Sequence, residues 1–214
     1  MISSEAVDSP VPTIPVRVGA VSAEEAIGLI PELIELLRES VSKGASVGFL
    51  HPLSHAVARN YWLSVLPEIR NGSRLLLVAV APDRILGTVQ LALPSFPSAL
   101  HRGSVEKLLI DSSVQTYHVG GLLMDELHEL ARQHGRTLLM HGGRKGEPAE
   151  AFYREMGYVE AGVVPGYTWG PDGKPWDYVQ FYFQIQAKEG TRLGTPGSPQ
   201  RIPGFGGIDR GFKY

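Results

Sequence analysis

Residues 101–134, HRGSVEKLLIDSSVQTYHVGGLLMDELHELARQH, constrain the fold of this chain more than any other stretch. Residues 105–110 read as a buried strand. From Val119 onward, Val119, Leu122, Leu123, Leu127, Leu130 and Ala131 share one side of a helix, with Asp125, Glu126, Glu129 and Arg132 on the other. A short turn that includes Gly120 and Gly121 joins the two. A helix entered in this way presents its first backbone N–H groups without partners, and with the helix dipole behind them they favour an anion such as a phosphate. The same pattern also serves as a plain connection with no ligand.

The rest of the chain supplies a sheet and its covering. Residues 14–20 alternate as a strand, and Ser22-Ala-Glu-Glu25 matches a helix capping box. Leu29, Ile30, Leu33, Ile34, Leu36 and Leu37 continue at helical spacing. Pro31 within them predicts a kink or a restart. The helix ends at Lys43-Gly44, and Ser54 can cap a second one running through Trp62 to about Leu66, before Pro67. Residues 74–81 and 84–93 are strands joined at Pro82-Asp83. After the central helix, stopped at Gly135, come a short strand at 137–140, a helix at 147–156 and strands at 158–164 and 178–185. The last two are separated by the turn-rich GYTWGPDGKPWD. The order β, α, α, β, β, β, α, β, α, β, β predicts an α/β (α+β) fold, a mixed central sheet with helices on both faces.

Composition narrows the function mainly by exclusion. A formal net charge of −2 with scattered Lys and Arg leaves no basic stripe for nucleic acid. No apolar run is long enough for a bilayer. Residues 1–15, MISSEAVDSPVPTIP, lack both the basic start and the apolar block of a signal peptide, so the cytoplasm is the expected location. With no cysteine, thiolate–zinc sites and a cysteine nucleophile fall away. His51 and His55 are four apart, but Pro52 intervenes and no carboxylate cluster accompanies them, so no metal is expected. The expected division is a leader at 1–13, a domain at 14–187 and a Gly/Pro-rich tail at 188–214.

The element order and three segments resemble the GNAT acyltransferases. VEKLLIDSSVQTYHVGGLLM is similar to the family's strand, pyrophosphate loop and helix. PAEAFYREMGY, residues 148–158, is similar to the later family helix. ASVGFLHPLS and VPGYTWGPDG resemble the branch of tabtoxin-resistance-type acetyltransferases. The resemblance spans roughly residues 16–186. It implies the GNAT fold, acetyl-CoA (or another acyl-CoA) as cofactor, and a small-molecule amine substrate, with no nucleic acid or membrane partner. It also leaves room for a homodimer. Cofactor contacts fall on Leu108, Leu109, Ile110, Gln115, His118, Val119, Gly120 and Gly121. The family's Gln/Arg-x-x-Gly-x-Gly/Ala loop is degenerate here: Gln115 and Gly120 match, but His118 replaces the first glycine. A family asparagine contact is also missing, at Gly146, and Gly142-Gly143 stand where the branch tends to carry an acidic residue.

The implied chemistry is transfer of an acetyl group to an amine by direct attack in a ternary complex. Tyr153 matches the family tyrosine that protonates the departing thiolate, or is a core tyrosine with a bonded hydroxyl. Glu106 is placed to take the amine's proton, or pairs with Lys107 or Arg102, or is a solvated strand residue. His141 is a further candidate base or a satisfied strand-end histidine. Tyr167, Trp169, Trp176 and Asp177 form an acceptor pocket with an anionic handle, or staple a hairpin. Two alternatives stand beside acetyl transfer. One is redirected acid–base chemistry using Glu106, His118, His141 and Tyr153. The other is a non-catalytic binding module whose tail, with Phe205, Phe212 and Tyr214, docks on a partner.

Overall fold

The computed structural model describes residues 15–114 and 116–186. The expectations placed on the leader, on the tail and on Gln115 lie outside the described residues. The elements follow in the predicted order: β1 (Arg17–Val21), α1 (Ala23–Ser42), α2 (His55–Arg70), β2 (Arg74–Val80), β3 (Ile85–Ala92), β4 (Arg102–Ile110), α3 (Thr116–Gln133), β5 (Leu138–Arg144), α4 (Ala149–Glu155), β6 (Val159–Trp169) and β7 (Pro175–Gln184). The sheet has seven strands in the order β1-β2-β3-β4-β5-β7-β6. Every neighbouring pair is antiparallel except β4 and β5.

Strand β2, RLLLVAV, is apolar from Leu75 to Val80 because it is covered on both sides there. Leu75, Leu77 and Ala79 join the core under α3, with Leu123, Met124 and Leu127. Leu76, Val78 and Val80 face the opposite way, against Leu33, Ile34 and Leu37 of α1 and Trp62 of α2. The two cores are separated by one sheet, so the side-chain parity of each central strand decides which layer it serves.

Parity changes once within β4. Val105 belongs to the α3 side, and strict alternation would put Leu109 there too. Leu109 instead packs on the α1/α2 side, while Leu108 and Ile110 pack on the α3 side. The switch occurs at Lys107, whose φ of 52° lies in the left-handed region. The register with β3 shifts at the same point, from Gln90↔Glu106 to Thr88↔Leu109. This is a β-bulge, with one extra residue on β4.

Several boundaries differ from the sequence reading. Helix α1 does not restart at Pro31, because its apolar stripe from Leu29 to Leu37 packs continuously on the sheet and outweighs the missing backbone bond. The capping box is present, with Glu25 N–H donating to Ser22 Oγ at 3.1 Å and Ser22 N–H donating to Glu25 Oε2 at 2.7 Å. Helix α2 runs past Pro67 to Arg70. Strand β4 begins earlier, where it meets β5, and α3 begins at Thr116, which places His118 in a helical turn rather than a loop. Strand β5 continues through Gly142 and Gly143 because all seven of its residues pair with β7. Most of GYTWGPDGKPWD is strand: β6 and β7 pair as far as Trp169↔Pro175, with a register shift between Val164 and Thr168.

Gly87 marks how closely β3 and β4 approach. A Cβ there would lie 2.9 Å from the Leu109 carbonyl oxygen and 2.8 Å from Ile110 Cδ1. Because the first of these is backbone, Gly87→Ala should destabilise the fold by about 1–3 kcal/mol. Urea unfolding should show a lower midpoint with an unchanged slope.

Candidate active site

Strands β4 and β5 pair at only three positions: Arg102↔Leu138, Gly103↔Leu139 and Ser104↔Met140. Beyond them β5 stays with β7 as far as Arg144↔Tyr178, while β4 stays with β3 as far as Gly87↔Ile110. The strands therefore diverge in the middle of the sheet and open a cleft of about 810 Å³. Leu108, Leu109 and Ile110 line it from β4, His141 to Arg144 from β5, and Gly120 from the second turn of α3. Phe152 and Tyr153 of α4 close its α3 side. Gly120 packs closely there, since a Cβ would lie 3.1 Å from Phe152 Cζ and the ring would have to shift by a few tenths of an ångström.

His141 reaches across the gap. Its Nδ1 lies 3.3 Å from the Val105 carbonyl oxygen, a geometry that assigns the proton to Nδ1 and a lone pair to Nε2. The ring stacks on Tyr153 with centroids 3.7 Å apart. Burial lowers the His141 pKa to about 4, against the opposing pull of the Val105 bond, so the imidazole is neutral near pH 7. Tyr153 is 3% exposed and lines the cleft, and burial raises its pKa. Its hydroxyl has no hydrogen-bond partner among the described residues.

A polar cluster lies on the α1/α2 side of the bulge. Arg74 Nη1 donates to Glu106 Oε2 and to Gln90 Oε1, both at 2.7 Å, and Arg74 Nε donates to Glu68 Oε2 at 2.7 Å. The Tyr61 hydroxyl donates to Gln90 Oε1 at 3.0 Å. The ion-pair partner of Glu106 is thus Arg74, rather than Lys107 or Arg102. Lys107 Nζ sits 5.2 Å from the centroid of the Tyr61 ring, and burial lowers its pKa although Glu106 pulls the other way. Across the cleft, Arg144 is 5% exposed and pairs with Glu147 at 2.5 Å. Burial raises the Glu147 pKa, and Arg144 opposes that rise.

The remaining sequence candidates are dispersed. His118 is exposed and is not part of the cleft wall, so its ring leaves the gap between β4 and β5 open. Redirected acid–base chemistry called for His118 beside Glu106, His141 and Tyr153; the last three line the cleft and His118 does not. Val119 is buried in the core, and Gly121 has open space where a side chain would be. Tyr167 lines the cleft and rests on Tyr178, with centroids 4.5 Å apart. Trp169 is 62% exposed, Trp176 Nε1 donates to Asp172, and Asp177 Oδ1 accepts from Gly166 N–H at 3.1 Å. Trp176 and Asp177 thus bond within the β6–β7 hairpin, and the Trp176 ring also lies 5.2 Å from the Arg144 guanidinium. The sequence reading missed Tyr61, Arg74, Gln90, Arg144 and Tyr178. The available signal was polar residues, Thr88 and Gln90, inside the otherwise apolar strand β3.

A sheet split between β4 and β5, with a helix N-terminus at one end of the gap, defines a donor-binding α/β fold. Residues 32–158 match the family model described as Acetyltransferase (GNAT) family, and the chain belongs to that family. It is an acetyltransferase, and the cofactor of the family is acetyl-CoA. Solved structures agree on the fold. The N-acetyltransferase from Staphylococcus aureus Mu50 is 13% identical, with a TM-score of 0.66, over 80% of this chain and 99% of that one. The ribosomal-protein-alanine N-acetyltransferase from Brucella melitensis is 19% identical, with a TM-score of 0.65, over 79% and 99%. A protein from Salmonella typhimurium, assigned as an acetyltransferase and solved with its cofactor acetyl-CoA, is 14% identical, with a TM-score of 0.65, over 81% and 96%. No helix among the described residues is long and apolar enough to cross a membrane.

The buried imidazole makes stability depend on pH. His141 has a folded pKa of about 4, below its ordinary value of 6.5, so between these values the unfolded chain binds more protons and stability falls as pH falls. Between pH 7 and 4.5 the wild type should lose about 2 kcal/mol more than His141→Gln, in which this proton uptake is gone. Urea titrations at the two pH values measure the difference, and the carboxylates common to both proteins cancel.

Proposed function

We propose that this chain transfers an acetyl group from acetyl-CoA to a small amine-bearing metabolite by direct attack within a ternary complex, as in the branch of tabtoxin-resistance-type acetyltransferases that it resembles. The observation that carries this reading is the cleft between β4 and β5, with a buried, unpartnered phenol, Tyr153, on its wall. The cleft fits the cofactor. Beyond Ser104 the β4 edge has no ladder partner on the β5 side, which leaves the backbone of Leu108 to Ile110 free to bond an extended chain. The first amides of α3, from Thr116 to His118 with Gln115 before them, have no partners inside the helix and would hold the diphosphate. Bound there, acetyl-CoA supplies an activated acetyl group as a thioester.

The protein's own residues then have separate tasks. Burial keeps the Tyr153 hydroxyl protonated, so it can deliver a proton to the departing sulfur. The stacked His141 ring fixes the orientation of that phenol, and the bond to Val105 fixes the ring. Arg74 engages Glu106 Oε2, and Glu106 lines the cleft, so Oε1 can take a proton from the incoming amine, directly or through water. Tyr167 closes the acceptor side. Sulfur and amine are thus served by groups on opposite faces of the sheet.

Tyr153→Phe should keep acetyl-CoA affinity, measured calorimetrically, and lower kcat by roughly 100-fold or more. A wild-type protein that binds no acyl-CoA, by calorimetry and by thermal shift alike, overturns the reading.

A further inference from the structure

The bulge in β4 also decides which side chains meet beside the cleft. In a regular strand, consecutive residues point to opposite faces. Here Glu106 and Lys107 both reach the same cluster: Glu106 through Arg74 and Gln90, and Lys107 over the ring of Tyr61, whose hydroxyl bonds the same Gln90. Both line the cleft. They do not pair with one another, so a carboxylate and an ammonium stand side by side on the acceptor wall.

Their states of compensation differ. Glu106 is paired with Arg74, Arg144 with Glu147, and Glu150 with Arg154. Lys107 has no carboxylate within ion-pair distance among the described residues. It also occupies a left-handed backbone conformation that glycine or asparagine would adopt with less strain. A partly buried cation without a counter-ion is costly. A ligand anion would supply the missing partner.

We propose that the acceptor is an amino acid, an amine with a carboxylate on the adjacent carbon, in which Lys107 Nζ pairs with the carboxylate and Glu106 Oε1 faces the amine. This assignment rests on the acetyltransferase reading and deepens it. The charges on the wall favour such a molecule over a diamine, whose second ammonium would lie against Lys107. It equally disfavours a bare alkylamine, which would leave Lys107 buried and unpaired.

The test uses the full chain with acetyl-CoA and a panel of the common L-amino acids, each beside its decarboxylated amine. Acetylation is followed by release of free CoA. At least one amino acid should be acetylated with a kcat/KM about 30-fold or more above that of its decarboxylated partner. Lys107→Gln should collapse that preference, mainly through KM, and Lys107→Arg should retain it. The proposal is overturned if the decarboxylated amines are the better substrates, if Lys107→Gln leaves the preference intact, or if acetyl-CoA binds and no amino acid in the panel is acetylated. A chain that fails to bind acetyl-CoA removes the acetyltransferase reading itself, and calorimetry separates that failure from the others.

Discussion

The structure depends on the loyalty of two neighbouring strands to their outer partners. After Ser104, β4 keeps its hydrogen bonds with β3 and β5 keeps its bonds with β7, and neither pairs with the other. An unpaired strand edge in a protein interior is costly unless something else uses its donors and acceptors. One acceptor, the Val105 carbonyl, is used by His141. The rest of the β4 edge faces a cleft. The sheet thus holds open a slot with backbone groups on its walls, and an extended cofactor can fill it as an added strand would.

The two faces of the sheet divide the chemistry. On the α3 side, Tyr153 and His141 are stacked, buried and neutral, in surroundings that disfavour charge. On the α1/α2 side, Arg74 anchors Glu68, Gln90 and Glu106, and a cation–aromatic contact holds Lys107 beside them. A proton held on the first face suits a leaving sulfur, and a charged cluster on the second suits an amine. The bulge at Lys107 gives β4 access to both, because it shifts the strand's parity between Glu106 and Leu109.

Much of this was legible in the residues. The element order, the capping box at Ser22 and the central strand–turn–helix follow from periodicity and local chemistry, which do not depend on distant contacts. Glycine marked the ends of α1, α3 and α4 correctly at Gly44, Gly135 and Gly157, but other proline and glycine positions were read as boundaries where the element runs on. Pro31 and Pro67 sit inside helices, and Gly142 and Gly143 sit inside a strand, because tertiary packing and pairing outweigh a local preference. Within the site, Tyr153, Glu106 and His141 were visible as candidates, but their partners were not. Arg74 lies 32 residues from Glu106, and Tyr61 lies 29 from Gln90. Nothing in one sequence brings such pairs together. The positive φ at Lys107 was equally hidden, since a lysine carries no local signal for a bulge.

The departure at His118 has a physical resolution in the start of α3. A glycine is indispensable only where a Cβ would collide or where φ is positive. Gly120 comes nearest to the first condition, because Phe152 Cζ lies 3.1 Å from where its Cβ would be and the ring would have to give way. His118 is in α-helical backbone and points to solvent, so an L-residue sits there without strain and without narrowing the slot. The amides of a first helical turn remain available whatever side chain projects outward, since they lie along the axis and not on the exposed face. On the proposed reading, diphosphate binding at this helix would rest on the backbone amides from Thr116 onward, and the exposed imidazole of His118 would add at most a polar group at the rim.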